Sequence, residues 1–192
     1  MIVKLIGLTP APEKLIASAA RICYDSKPNS PEADERLVGN LRDWGHFSTY
    51  EHASATFLLE GISRACTHQL VRHRLASYNQ QSQRYVNESN FDYVIPGSVE
   101  GKEEALGLYK DFMESARDVY GKLIDAGIPK EDARFVLPNA TTSKIIVTMN
   151  FRELRHFIKL RMGKDAQWEI RDLAAKMLDV IRKEAPTVFG DF

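Results

Sequence analysis

A chain of 192 residues is long enough for one domain with a substantial core, and its 26 basic and 26 acidic side chains cancel to a formal charge of zero. No global field argues for nucleic acid or a membrane surface as a partner. Two cysteines, Cys23 and Cys66, without CxxC spacing, argue against a disulfide framework or a cysteine-built metal site and for a reducing compartment.

The first eight residues, Met-Ile-Val-Lys-Leu-Ile-Gly-Leu, lack the apolar length of a signal peptide and read as a strand. No segment reaches the roughly 20 apolar residues of a membrane span, so a soluble, cytoplasmic protein is expected. Pro12 suits the first turn of a helix whose Leu15, Ile16, Ala19, Ala20, Ile22 and Cys23 fall on one stripe. Asp25 to Asn29, polar and holding Pro28, reads as a loop. Ser30 and Pro31 fit the cap and first turn of a helix through Leu37, Val38 and Leu41 that ends near Gly45. From His52 to Glu60 the pattern predicts a strand with Ala53, Ala55, Phe57 and Leu59 on one face, Ser54, Thr56 and Leu58 on the other, and Gly61 closing it. Ile62, Ala65, Cys66, Gln69 and Leu70 recur at helical spacing, so a short helix delivers the chain to Arg72.

The next stretch, Arg72 to Tyr85, packs three arginines, one histidine, two serines and three glutamines into fourteen residues, inside an acid-free run from Gly61 to Asn87 that adds Arg64 and His68. A guanidinium needs an acceptor, and its fork matches phosphate oxygens with two parallel bonds. The run reads as a phosphate site; a solvated arginine-rich loop or a set of surface ion pairs fits its composition equally well. From Leu75 to Tyr85 its only apolar residues are Leu75, Ala76, Tyr78 and Tyr85. They build little core, so a ligand or an adjacent subunit is expected to order the segment.

Phe91, Tyr93, Val94 and Ile95 predict an extended piece before a turn at Pro96 and Gly97. A long helix spans Glu103 to Ala126 on a broad stripe that includes Leu108, Phe112, Met113, Ala116, Val119 and Tyr120, with Gly127 as C-cap and Pro129 starting the next turn. Ile145, Ile146 and Val147 fit a strand, and helices follow near Phe151 to Leu160 and near Gln167 to Lys183, the second capped by Asp165. No linker or repeat divides the chain. The expectation is one α+β domain, residues 1–192, with strands at the N-terminus, at 52–59 and around 145–149, packed with several helices.

There is no Gly-rich phosphate loop, nucleophile elbow or HExxH. His46 and His52, six apart, do not share a helical face, and no metal is expected. The pattern that does stand out is Arg72-His73-Arg74, seven residues, then Ser82, with Arg84 and Tyr85 behind. It resembles the signature of the flavin-dependent thymidylate synthases. Gly45 to His52 resembles that family's glycine-histidine approach to its first flavin-contacting strand, and Asn150 to Phe157 with Leu160, Arg161 and Ala166 to Glu169 resembles its C-terminal block. The three blocks keep the family's order.

The resemblance implies a mostly antiparallel sheet packed with helices and a homotetramer whose flavin sites lie between subunits. It implies reductive methylation of deoxyuridine monophosphate (dUMP) to thymidine monophosphate (dTMP), with methylenetetrahydrofolate as carbon donor and FAD, recharged by NADPH, as hydride carrier. No cysteine attacks the pyrimidine in this chemistry. Matched by position, Gln69, Arg72, Ser82, Gln83, Arg84, Arg134 and Arg161 are the nucleotide-binding set. Arg161 would stabilise the anion formed on the pyrimidine ring as electron density moves to the carbon to be alkylated. Ser48, Arg72, His73, Arg74, Leu75, Asn79, Gln80, Asn150 and His156 match flavin positions, and His46 matches a histidine linked to folate binding or hydride transfer. Glu51 and Tyr85 are secondary candidates. Three positions depart from many or some members: Gln80 stands for glutamate, His156 for asparagine and Asp165 for histidine.

Overall fold

The computed structural model describes every residue except Asn29 and Pro31. In chain order the elements are β1 (Ile2–Leu8), α1 (Pro12–Ile22), α2 (Ala33–Asp43), a 3-10 turn (Phe47–His52), β2 (Ser54–Ser63), α3 (Arg64–Leu70) and β3 (Ala76–Gln80). They continue with α4 (Gly97–Glu100), α5 (Glu103–Asp125), α6 (Lys130–Ala133), a second 3-10 turn (Arg134–Val136), β4 (Thr142–Asn150), α7 (Phe151–Arg161), α8 (Trp168–Glu184) and α9 (Pro186–Phe189). The sheet has the order β1-β2-β4-β3. The chain forms two compact units, one from Met1, Glu60–His68 and Asn79–Ile145, the other from Ile2–Leu59, Gln69–Tyr78 and Ile146–Phe192.

In the second unit, period-two alternation sets the register of β2. Ala53, Ala55, Phe57 and Leu59 are fully buried, while Ser54, Thr56 and Leu58 keep partial access. On one side Thr9 donates its N–H to the Ser54 carbonyl at 3.0 Å, and Gly7 lies against Thr56. On the other, Phe151 donates to the Ala53 carbonyl at 2.8 Å, and the Thr56 and Thr148 hydroxyls meet at 2.9 Å. In both pairs the partner number falls as the β2 number rises, so both are antiparallel. Helices α1, α2, α7, α8 and α9 supply Ile16, Val38, Phe151, Phe157, Leu173, Met177 and Phe189 to a core of fully buried side chains. Phe151 and Phe189 pack edge to face at 5.1 Å.

The first unit has a smaller core. Helix α5 brings Met113 and Ala116 against Phe91, with Tyr93, Tyr109, Leu137 and Ala140 around them. Arg117 donates to the Phe91 carbonyl and lies over the Phe91 and Tyr93 rings. Only part of the α5 stripe is covered: Leu108, Phe112 and Val119 stay exposed.

Several expectations change. β2 does not close at Gly61 but runs through it to Ser63, because Gly61 takes φ +69°, a conformation that glycine tolerates without a Cβ penalty. Helix α2 begins at Ala33 behind Glu32; Ser30 instead accepts Ala33 N–H with its carbonyl and an Arg36 bond with its hydroxyl, and the Pro31 part of the expected cap lies outside the described residues. Gln167, not Asp165, caps α8, its side-chain oxygen accepting from Glu169 and Ile170 N–H. Within the polar run after Arg74, expected to need a ligand or subunit to order it, Ala76–Gln80 form strand β3, an edge of the sheet next to β4. The edge needs backbone partners rather than apolar side chains, which is why composition hid it.

Phe151 begins α7 and closes the second unit's core, so Phe151→Ala should lower unfolding free energy by about 3–5 kcal/mol in urea denaturation followed by circular dichroism. Gln167→Ala, which removes only a cap, should cost about 1 kcal/mol in the same measurement.

Candidate active site

Within the second unit the site grows from the start of α7. Asn150 caps the helix, its side-chain oxygen accepting the Glu153 N–H at 2.9 Å. Asn-x-x-Glu is a capping-box spacing, in which the glutamate would turn back to the cap. Here the Glu153 carboxylate meets the Nδ1 of His73 at 3.0 Å. Arg161, the last residue of α7, donates its Nε–H to the Nε2 of the same imidazole at 3.0 Å and an Nη2 hydrogen to the Gln69 carbonyl at 3.3 Å. His73 is 4% exposed, with the Phe157 ring edge-on at 5.0 Å and the His156 ring at 5.7 Å. Tyr78 fixes the backbone around it, its hydroxyl donating to the Leu70 and His73 carbonyls at 2.9 and 2.8 Å. Burial pushes that phenol well above the usual tyrosine range.

These contacts define a proton position. A guanidinium only donates, so the His73 Nε2 is an acceptor and the ring hydrogen sits on Nδ1, aimed at Glu153. Burial pulls the His73 pKa below its ordinary value; the Glu153 bond opposes that, and the Arg161 charge adds to it. The imidazole is therefore neutral at physiological pH.

Two cavities flank this group. One of about 630 Å³ is lined by Val71 to Leu75, Glu153, His156, Leu160 and Arg161. Another of about 660 Å³ shares Leu75, Glu153 and His156 and is completed by Phe47, Glu51, Asn150, Arg152, Arg155, Lys159 and Phe192. Arg155 is largely committed inside the protein: it binds Asp191 in a bidentate pair at 2.7 and 2.6 Å, donates to the Val188 carbonyl and lies over the Phe47 and Phe192 rings. Burial raises the Asp191 carboxyl, but the Arg155 bond and charge outweigh it and hold the group below its ordinary value. Arg152 pairs with Glu51 at 2.5 Å. By contrast, among the described residues the Arg72 and Arg74 guanidiniums, both exposed, have no acceptor. With the exposed Leu75 they give the first cavity spare cationic donors beside an apolar face. That donor set suits a ligand joining a phosphate or pyrophosphate to a flat apolar ring.

The first unit holds a second basic group. Arg64 is half-buried; burial lowers its pKa, and so does the neighbouring Arg134 charge. Burial raises the pKa of Glu88, while Arg64 and a Gln81 hydrogen bond pull it down. Arg84 pairs with Glu131 at 3.1 Å on the surface, and Lys130 donates to the Tyr85 carbonyl. The Gln80 amide donates to the Thr67 and Ser143 hydroxyls.

The profile of the family described as thymidylate synthase complementing protein matches residues 4–187. A flavin-dependent thymidylate synthase of Geobacter sulfurreducens is 50% identical over 201 residues, covering 100% of this chain and 86% of that protein. Those of Clostridium tetani and Pyrococcus furiosus are 43% and 46% identical, covering 97% and 94% of this chain and 84% and 79% of theirs. The chain belongs to the flavin-dependent thymidylate synthase family.

Against the family pattern, the second unit brings Arg72, His73, Arg74, Leu75, His156 and Arg161 to one cavity wall and Asn150 to the adjoining one. His46 and Ser48 are exposed near the 3-10 turn, and neither lines these cavities. Gln69 reaches the group through its backbone carbonyl. Asn79, Gln80, Ser82, Gln83, Arg84, Tyr85 and Arg134 belong to the first unit, where Asn79, Arg84 and Tyr85 are exposed and Gln83 is buried. The residue pattern assigns no role to Glu153 or to the Arg155–Asp191 pair. The capping-box spacing marks Glu153 as notable, but its partner lies 80 residues away.

Because Asp191 is stabilised as a carboxylate, the stability drawn from its pair with Arg155 is full above the ordinary aspartate value of 3.8 and is lost as pH falls through its depressed value. Asp191→Asn should therefore lower the melting temperature near neutral pH, and the gap from wild type should close on acidification in a pH series of thermal melts.

Proposed function

We propose that this chain catalyses the reductive methylation of dUMP to dTMP, with methylenetetrahydrofolate as carbon donor and FAD, recharged by NADPH, as hydride carrier. The carrying observation is Arg161: two of its five guanidinium hydrogens are held by His73 and Gln69, leaving three on a cavity wall beside the unpartnered Arg72 and Arg74. A guanidinium fixed in this way offers donors to a pyrimidine that becomes anionic as its carbon attacks, without moving to meet the charge. Reduced FAD, when bound, supplies the hydride that completes the methyl group. Arg72, Arg74, Leu75 and His156 are assigned to hold it, with His73 fixing the wall behind them and Ser48, Asn79, Gln80 and Asn150 as further contacts. Gln69, Arg72, Ser82, Gln83, Arg84 and Arg134 are assigned to the nucleotide, and His46 to folate or hydride transfer.

The reading includes a homotetramer with flavin sites between subunits, a single functional domain over residues 1–192 and a cytoplasmic setting. The family match runs through both compact units, which supports treating the chain as one domain. Among the described residues no helix is long and apolar enough to cross a membrane, and no group of histidine, cysteine or acidic side chains could hold a metal ion.

The purified protein should show a flavin absorption spectrum. Anaerobic reduction followed by dUMP and methylenetetrahydrofolate should reoxidise the flavin and yield dTMP. A protein that binds neither flavin nor dUMP would overturn the reading. Arg161→Lys, which keeps the charge and loses the fork, should lower turnover by about 100-fold or more while the flavin spectrum persists.

A further inference from the structure

We propose that Glu153 is a positioning residue for this reaction: by holding the proton of His73 on Nδ1 it keeps the Nε2 lone pair turned to Arg161 and so aims the guanidinium at the substrate. The proposal rests on the assignment of Arg161 to the pyrimidine. Three observations carry it. The Glu153 carboxylate is 3.0 Å from His73 Nδ1, and the Arg161 Nε is 3.0 Å from His73 Nε2, so one imidazole ring joins the two side chains. The glutamate is buried, 7% exposed, although its place in the first turn of α7 offers the ordinary solvated role of a capping box. And Arg161 makes no ion pair among the described residues, so its direction is set by His73 and one longer bond to a carbonyl.

The chemistry follows from the ring. A neutral imidazole carries one hydrogen, and the partner of one nitrogen decides what the other can do. With a carboxylate at Nδ1 the hydrogen stays there, and Nε2 accepts from Arg161. Without it only the Arg161 bond still favours Nδ1, and a hydrogen that moves to Nε2 points at the Arg161 N–H. Two donors then face each other and the guanidinium must turn away. Protonating His73 has the same effect and adds charge repulsion from Arg161. The charged or titratable groups facing the ring are Glu153, His156 and Arg161, all on α7. Glu153 is the only acid among them, so it also favours protonation. Its loss should make His73 harder to protonate, while leaving the tautomer unfixed.

The test compares wild type, Glu153→Gln, Glu153→Leu and Arg161→Ala as flavin-loaded proteins. Imidazole nitrogen NMR reads the His73 tautomer, and dTMP formation at saturating substrates reads turnover. Wild type should show the hydrogen on Nδ1. Glu153→Leu should lose that signature and about 10- to 100-fold in kcat, the scale on which partners that orient a functional histidine act, with far less change in KM for dUMP. Glu153→Gln, whose amide oxygen can still accept, should keep the tautomer and recover most of the turnover, with the acid limb of its pH profile moved to lower pH. A role in folding alone would lower melting temperature in both variants without separating them in turnover or moving the acid limb, and that result would overturn the proposal. So would an unchanged tautomer and kcat in Glu153→Leu beside an inactive Arg161→Ala. Full turnover in Arg161→Ala would instead overturn the assignment of Arg161 and the proposal with it.

Discussion

A buried imidazole must have both nitrogens satisfied, and at His73 that requirement organises the site. An unpaired ring nitrogen in a dry environment costs on the order of 1–3 kcal/mol, so a 4% exposed histidine implies two partners. Glu153 and Arg161 meet it from the first and last turns of one helix. The register of α7 therefore matters as much as its existence: Asn150 sets where the helix starts, and that start decides whether both residues face His73. Tyr78 adds a second clamp by holding the carbonyls on either side of the bend after α3.

The structure also sorts arginines that look alike in the sequence. Arg155 is spent on a carboxylate, a carbonyl and two aromatic rings, and so acts as part of the frame. Arg161 is half committed, which fixes its direction and leaves donors over. Arg72 and Arg74 are uncommitted among the described residues. This gradient from frame to free end runs along the walls of two adjoining cavities. A site of this kind keeps its geometry before ligand arrives and has charge left to receive it.

Much of this was legible from the chain. The apolar periods gave α5, α7 and α8 within a residue or two, and the alternation in β2 named its buried face. Family resemblance singled out the basic run and Arg161 as candidates. What stayed hidden depended on distance in sequence: the Glu153 partner 80 residues away, the Arg155 partner 36 away, and the backbone pairing that makes polar Ala76–Gln80 a strand. The α5 stripe shows the reverse limit. Its period is right for a helix, yet Leu108 and Phe112 are more than half exposed, because periodicity reports that a face is apolar and not what covers it.

Neither compact unit is a continuous piece of chain. The second takes its first strand from Ile2–Leu8 and its last helices from beyond Ile146, and the whole of Asn79–Ile145 intervenes. Its core cannot close until Phe189 has been made, since Phe151, Leu173 and Phe189 follow in the chain nearly everything they pack upon. Loop closure over such separations is entropically costly before any contact repays it, so folding should be slow for a chain of this helical content. The same threading protects the finished protein: a single cut in the long intervening stretch leaves both halves of the second unit's core still interlocked.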